Sequence, residues 1–303
     1  MIYPNRLKDW NFDCVKAPGL SDRKRPNIRN MGSFTIAQAW ELSRQSKSNF
    51  SSGLGINIAL TLAYDGTSYY GWQKCSSGPS IEQTLQQSLE TILQHPVKLQ
   101  AASRTDRGVH AKGQVVNFFS EKTIDLGQLA YSLNALLPSS LVVLAIEEKS
   151  SNFHPTLDVI AKEYVYYLCN RSVQLPQHRL FSWHIPKPLD LNLMKVHARQ
   201  FIGKHDFEPF CNKHEGNTYE STVRTVYSIE IEHLEENRVK ISLTADHFLY
   251  KMARNLIGTL VELGLGKKIE RGICAPAHGL TLNRVHYCAK LFNSPYAFFP
   301  FTE

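Results

Sequence analysis

Ile56-Asn57-Ile58-Ala59-Leu60-Thr61-Leu62-Ala63-Tyr64 is the stretch from which the rest of the fold is read. Ile56, Ile58, Leu60, Leu62 and Tyr64 alternate with smaller or polar residues, the period-two pattern of a half-buried strand, and Asp65-Gly66 closes it with a turn signal. Downstream, Ser80 is placed to cap a helix, with Gln83 in the capping-box position and Ile81, Leu85, Leu89 and Ile92 on one face. Pro96 ends that helix. Val97, Leu99 and Ala101 alternate as a second strand, and Gln114 to Phe119 reads as a third. Asp125 caps a helix carrying Leu126, Leu129, Leu133 and Leu136, and Leu141 to Glu147 closes the unit as a strand. The order β-α-β-β-α-β predicts an α+β fold with a ferredoxin-like, RRM-like unit, an antiparallel sheet under two helices.

The second half repeats this order with longer spacers and no sequence identity to the first. Tyr164 to Leu168 is a strand, and Asp190 caps a helix through Leu191, Met194, Ala198 and Phe201, with Gly203 as its stop. Val223 to Ile231 and Val239 to Ala245 are strands, a helix runs from about Phe248 to Leu263, and Thr281 to Tyr287 is the last strand. The expected division is an N-terminal basic extension over 1–53, a first ferredoxin-like subdomain over 54–155 and a second over 156–303. Two antiparallel sheets side by side would flank a central cleft, a natural seat for RNA or another ligand.

Lys and Arg number 34 against 27 Asp and Glu, so the formal charge is +7 and favours a polyanionic partner. Neither an apolar run long enough to span a bilayer nor a signal peptide is present in the sequence, and a cytoplasmic location is expected. The six cysteines form no Cys-x-x-Cys pair, and His205, Cys211 and His214 lack a fourth ligand at a usual spacing, so no metal site is expected. Residues 1–52 carry Arg23-Lys24-Arg25 and one short helical pattern, about Phe34 to Arg44 behind Ser33. They read either as a basic arm that reaches for RNA or as a poorly ordered extension, and Met31 allows a native start further downstream.

Four stretches carry chemistry. Ser103-Arg104-Thr105-Asp106-Arg107-Gly108-Val109-His110-Ala111 places one carboxylate between two arginines, with a glycine that lets the backbone turn. A nearby guanidinium would hold the Asp106 oxygens in a fixed orientation, as a carboxylate nucleophile requires. Tyr64-Asp65-Gly66-Thr67-Ser68-Tyr69-Tyr70-Gly71-Trp72-Gln73 mixes turn residues with aromatics and an amide that can stack on bases and bond their edges. Ala161-Lys162-Glu163-Tyr164-Val165-Tyr166 opens the second half, preceded by Asn152-Phe153-His154-Pro155. In Asp246-His247-Phe248-Leu249-Tyr250-Lys251-Met252-Ala253-Arg254-Asn255, helical spacing puts Tyr250 and Arg254 on one face.

Together these blocks resemble the tRNA pseudouridine synthase A family over roughly five-sixths of the chain, from about Ile56 onward. Departures from its pattern are Ser103 for Gly, Tyr69 for Phe, Pro155 and Thr156 for Ala and Arg, and Ala253 for Val. The resemblance implies isomerisation of uridine to pseudouridine in the anticodon arm of tRNA, without metal or organic cofactor, by a homodimer. It implies Asp106 as the catalytic nucleophile, either bonding the sugar or drawing a sugar proton, and Arg254 as its partner. Tyr164 would stack on the uracil and help remove its proton, and Arg104, His110, Gln114 and Trp72 would join it in binding substrate. Structural roles are expected for His205 and His278. Two readings from other classes remain, a catalytically inactive RRM-like RNA-binding module and a cofactor-free hydrolase.

Overall fold

β1 (Ile56–Tyr64) lies inside the sheet, bonded to β3 (His110–Ser120) on one side and β4 (Leu141–Lys149) on the other, both antiparallel. The computed structural model describes residues 55–212, 219–269 and 271–288. The expectations for residues 1–53 and for His214 fall outside them. Among the described residues the chain is an α+β protein of one ten-stranded sheet and four α-helices.

The strand expected to be half-buried is buried on both faces. Asn57, Ala59 and Thr61 are as inaccessible as Ile58, Leu60 and Leu62. The second face is covered by the segment after β4, where Asn57 Nδ2 donates to the Ser150 and Phe153 carbonyls at 3.0 Å and Asn57 Oδ1 accepts from Asn117. Asn57 follows the rule that interior polar groups are bonded, whereas Thr61 Oγ1 on the same face has no partner among the described residues.

Three of the helices begin where the sequence placed their caps. Ser80 Oγ accepts from the Gln83 N–H ahead of α1 (Ile81–Leu93), Asp125 from Gln128 ahead of α2 (Leu126–Leu136), and Asp190 from Leu193 ahead of α3 (Leu191–Ala198). Helix α4 (Met252–Gly264) starts four residues later than expected. Lys251 adopts a left-handed conformation (φ 60°), which a helix cannot pass through, so Phe248 and Tyr250 belong to the preceding loop. The expected face shared by Tyr250 and Arg254 is therefore absent. The Tyr250 carbonyl instead accepts the Asn212 N–H, and its own N–H bonds the Tyr219 hydroxyl.

The remaining strands are β2 (Gln100–Ala101), β5 (Val159–Cys169), β6 (Trp183–His184), β7 (Gly203–Asp206), β8 (Val223–Leu234), β9 (Arg238–Ala245) and β10 (Leu280–Tyr287). β2 is shorter than its alternation suggested, and β7, which pairs with β8, begins at the glycine expected only to stop a helix. The spatial order is β4-β1-β3-β10-β5-β9-β8-β7, with β2 beside β3 and β6 beside β5. Two separate sheets do not form. β10 lies parallel to β3 through Thr281 and Leu282 and antiparallel to β5 along its length, which welds the halves into one sheet.

Candidate active site

The Asp106 loop runs from β2 to β3 and is held from below by side chains of its own neighbourhood. Gln114, fully buried on β3, clamps Ser103 twice: its Oε1 accepts the Ser103 N–H at 3.2 Å and its Nε2 donates to the Ser103 carbonyl at 2.6 Å. The Tyr64 hydroxyl bonds Thr105 Oγ1 at 2.8 Å, and Trp72 N–H donates to the Thr105 carbonyl at 3.0 Å. Gly71 (φ 101°) permits this last contact, because a Cβ there would stand 2.8 Å from that same carbonyl oxygen.

His110 is 2% exposed and fully engaged. Its Nε2 faces the Leu180 and His278 carbonyls at 3.0 and 3.1 Å and so carries the proton, while Nδ1 accepts the Gly66 N–H. Asp65 Oδ1 lies 3.1 Å from the same Nδ1. Since Nδ1 has the Gly66 N–H to accept, we read this approach as a contact and not as an ion pair. The Phe181 ring packs at 4.6 Å. Trp72, His110 and Gln114, three expected substrate-binding residues, thus lie behind the loop and support it.

The guanidinium that pairs with Asp106 comes from 148 residues away, not from its sequence neighbours. Arg254, in the first turn of α4, donates from Nη1 to Asp106 Oδ2 at 2.8 Å and from Nε to the Ala275 carbonyl at 2.7 Å. Ala275 returns its N–H to the Arg254 carbonyl. This segment reaches the helix because Gly258 and Gly272 lie against each other, and a Cβ on Gly258 would overlap the Ile273 carbonyl oxygen. Of the flanking arginines, Arg107 sits 4.1 Å over the Tyr70 ring, and Arg104 is exposed, without a hydrogen bond or ion pair among the described residues. Asp106 Oδ1 likewise has no partner there, and the side chain is 21% exposed.

Tyr164 reaches the loop from β5. Its hydroxyl lies 2.9 Å from Ser103 Oγ, and Phe248 meets its ring edge-on at 5.0 Å. Burial pushes its phenol up to about 12, opposed by the Ser103 bond and reinforced by the Asp106 charge. The ring is therefore a neutral phenol at pH 7, fit to pack and hydrogen-bond, with little phenolate to act as a base. The structure thus brings Asp106, Arg254 and Tyr164 together with Arg104 at the rim. Ser103, seen in the sequence only as a departure from a pattern, and the Ala275 carbonyl are additional members. The hydroxyl of Ser103 was the one available signal, since a backbone carbonyl leaves none.

His205 Nε2 faces the Ile202 carbonyl, and His278 is held below the usual histidine range, chiefly by burial. Among the described residues no group of three His, Cys, Asp or Glu side chains could hold a metal ion, and no helix is long and apolar enough to cross a membrane.

Positions 61–158 and 197–273 match a family described as tRNA pseudouridine synthase. A "tRNA pseudouridine synthase A 2" of Protochlamydia amoebophila is 50% identical over 76% of this chain and 94% of its own length. The "tRNA pseudouridine synthase A 2" of Clostridium perfringens is 38% identical over 76% of this chain and 99% of its own. A Cbf5-Nop10-Gar1 complex overlaps 75% of this chain and 49% of that chain at 14% identity, with a TM-score of 0.34, too slight to bear on the fold. A family match over more than half of the chain, taking in the Asp106 loop and the Arg254 helix, together with identity of this extent, means that the chain belongs to the tRNA pseudouridine synthase family.

Proposed function

We propose that this protein, acting in the cytoplasm as a homodimer, isomerises uridine to pseudouridine in the anticodon arm of tRNA. The observation that carries the reading is the one-sided engagement of Asp106. Arg254 holds Oδ2 at 2.8 Å and leaves Oδ1 without a partner among the described residues, while the 2.9 Å hydrogen bond between the Ser103 and Tyr164 hydroxyls fixes Tyr164 beside it. A carboxylate so held is oriented yet keeps one oxygen for a sugar, as in glycoside chemistry.

The target nucleotide leaves the base stack to reach this oxygen, at a cost of a few kcal/mol offset by phosphate and stacking contacts. Asp106 acts on the ribose, the N1–C1′ bond breaks, the uracil turns, and a C5–C1′ bond forms. The C5 proton is lost and N1 gains one, so the reaction is an isomerisation that consumes nothing. Tyr164 holds the base and hydrogen-bonds as a phenol during proton removal, and Arg104 at the rim contacts phosphate. Trp72, His110 and Gln114 contribute to substrate binding through the loop they hold. The strand orders β4-β1-β3-β2 and β10-β5-β9-β8 are the same permutation, which supports reading 54–155 and 156–303 as two ferredoxin-like halves.

Tritium release from tRNA labelled at uracil C5 tests the reading. Release by the parent and none by Asp106→Asn, with tRNA binding within a few fold, is the expected result. Binding without release by either would instead indicate an inactive RRM-like RNA-binding module. Gel filtration showing a monomer at working concentration would remove the homodimer.

A further inference from the structure

Lys162 is 6% exposed, and among the described residues it makes no hydrogen bond or ion pair. An ammonium drawn largely out of water without a partner is costly, so its presence calls for a reason beyond packing. The strand register shows what surrounds it. Lys162 on β5 stands opposite Ala245 on β9, and Ala245 opposite Val226 on β8. Directly opposed residues share a sheet face, and so do residues two apart on one strand. Lys162, Tyr164 and Arg224 therefore occupy one face, with His247 following β9 at the same end.

These groups feel one another. Lys162 is drawn down to about 8 by burial first and by Arg224 second, and His247 is held below its usual range by burial and then by Lys162. Among the described residues the one carboxylate acting on Lys162 is Asp246, and backbone donors already bond both its oxygens. Oδ2 accepts the Thr225 N–H at 3.1 Å and Oδ1 the His247 N–H at 2.6 Å. Arg224 donates from Nη1 to the Ser221 and Val223 carbonyls and lies 5.8 Å from the Tyr219 ring, and its Nη2 makes no hydrogen bond among the described residues. Two cationic side chains thus keep unused donors on the face that carries Tyr164. That pattern suits an anion with several acceptor oxygens.

We propose that Lys162 and Arg224 form a subsite for a backbone phosphodiester of the RNA, next to the nucleotide held between Tyr164 and Asp106. The inference rests on the RNA-modifying reading above. Two residues along a strand span about 7 Å, so a phosphate at Lys162 lies one nucleotide's reach from a base at Tyr164. A phosphate on the RNA chain fits this placement better than a free anion, because the face is continuous with the site that must receive the nucleotide.

Equilibrium binding of an unmodified tRNA transcript between about 50 and 200 mM salt, with C5 tritium release and thermal unfolding on the same preparations, tests this for the parent, Lys162→Met, Lys162→Arg and Arg224→Met. Lys162→Met and Arg224→Met are expected to weaken binding several-fold and each to reduce the slope of log K against log salt by about 1. Lys162→Arg should keep both, and Lys162→Met should unfold no earlier than the parent, since it removes a desolvated charge. Folded Lys162→Met and Arg224→Met with parental affinity and slope, beside an active parent, would overturn the subsite. Should Lys162→Met fail to fold, an unchanged slope in Arg224→Met does the same. If inorganic phosphate raises the unfolding temperature through Lys162 while the tRNA slope stays unchanged, the site takes a free anion and the proposal fails. A parent that binds no tRNA or releases no tritium would refute the RNA-modifying reading instead.

Discussion

The Ser103 hydroxyl lies 2.9 Å from the hydroxyl of Tyr164, joining the Asp106 loop to β5. Both groups are buried, so removing one leaves the other short of a partner. Ser103→Ala is expected to lower stability by about 1 kcal/mol and to slow single-turnover release of the C5 proton several-fold. tRNA affinity should stay unchanged, because no RNA contact is lost. Ser103→Thr, which keeps the hydroxyl, should recover most of the rate; equal rates in Ser103→Ala and parent would deny the bond any part in catalysis.

Arg254 serves two acceptors at once with the fork of its guanidinium, Ala275 through Nε and Asp106 through Nη1. A lysine offers a single point of charge and cannot span both. Arg254→Lys is therefore expected to lose about 100-fold in kcat, on the order of 3 kcal/mol of transition-state stabilisation. Arg254→Ala should damage tRNA binding as well. Rapid-quench kinetics at saturating tRNA measures the first, and a parental kcat in Arg254→Lys would rule out the two-acceptor role.

Gly258 lies where a methyl group would overlap the Ile273 carbonyl oxygen, with Gly272 directly across. Gly258→Ala raises helix propensity yet is expected to destabilise by about 2 kcal/mol, because neither backbone can yield without moving Ala275. Displacing Ala275 frees Arg254, so activity should fall even at temperatures where the variant is folded. Circular dichroism melts and tritium release on the same sample separate the two effects.

Lys162 sets a pH dependence of defined sign. Its folded value of about 8 lies below the ordinary 10.5, so between these pH values the unfolded chain binds more protons and stability rises with pH. The penalty is fully present below pH 8 and is relieved as pH climbs toward 10.5. Lys162→Met should therefore be more stable than the parent at pH 7, by at most about 3 kcal/mol, with the difference falling below about 1 kcal/mol by pH 10. Tyr164 acts oppositely above pH 10, since its phenol stays protonated in the fold, but that contribution is common to both proteins. Chemical denaturation of the pair at pH 7, 8.5 and 10 checks the sign; a gap that widens with pH would contradict it.

Much of the chain was legible because local rules govern local structure. Ser80, Asp125 and Asp190 mark helix starts through bonds that reach only three residues ahead. The start of α4 is not legible in the sequence for the converse reason. Asp246 to Lys251 has helical composition, and the left-handed turn at Lys251 is imposed by surroundings, with Tyr250 bonded to Asn212 and Tyr219. β7 escaped notice because four residues, Gly203–Asp206, carry too short a pattern to register.

By itself the sequence determined the order of the longer strands and helices and the residue types of the site: an Asp in a turning loop, a Tyr on a strand, an Arg on a helix. Periodicity, caps and motif spacing are properties of neighbours along the chain, so they are written there. Only the tertiary structure decided that β10 would run between β3 and β5, that Arg254 would hold one oxygen of Asp106 from Nη1 and the Ala275 carbonyl from Nε, and that Lys162 would be buried without a partner among the described residues. These depend on contacts between residues distant in sequence, where packing, close glycine approaches and hydrogen-bond satisfaction choose among partners that composition alone leaves equal.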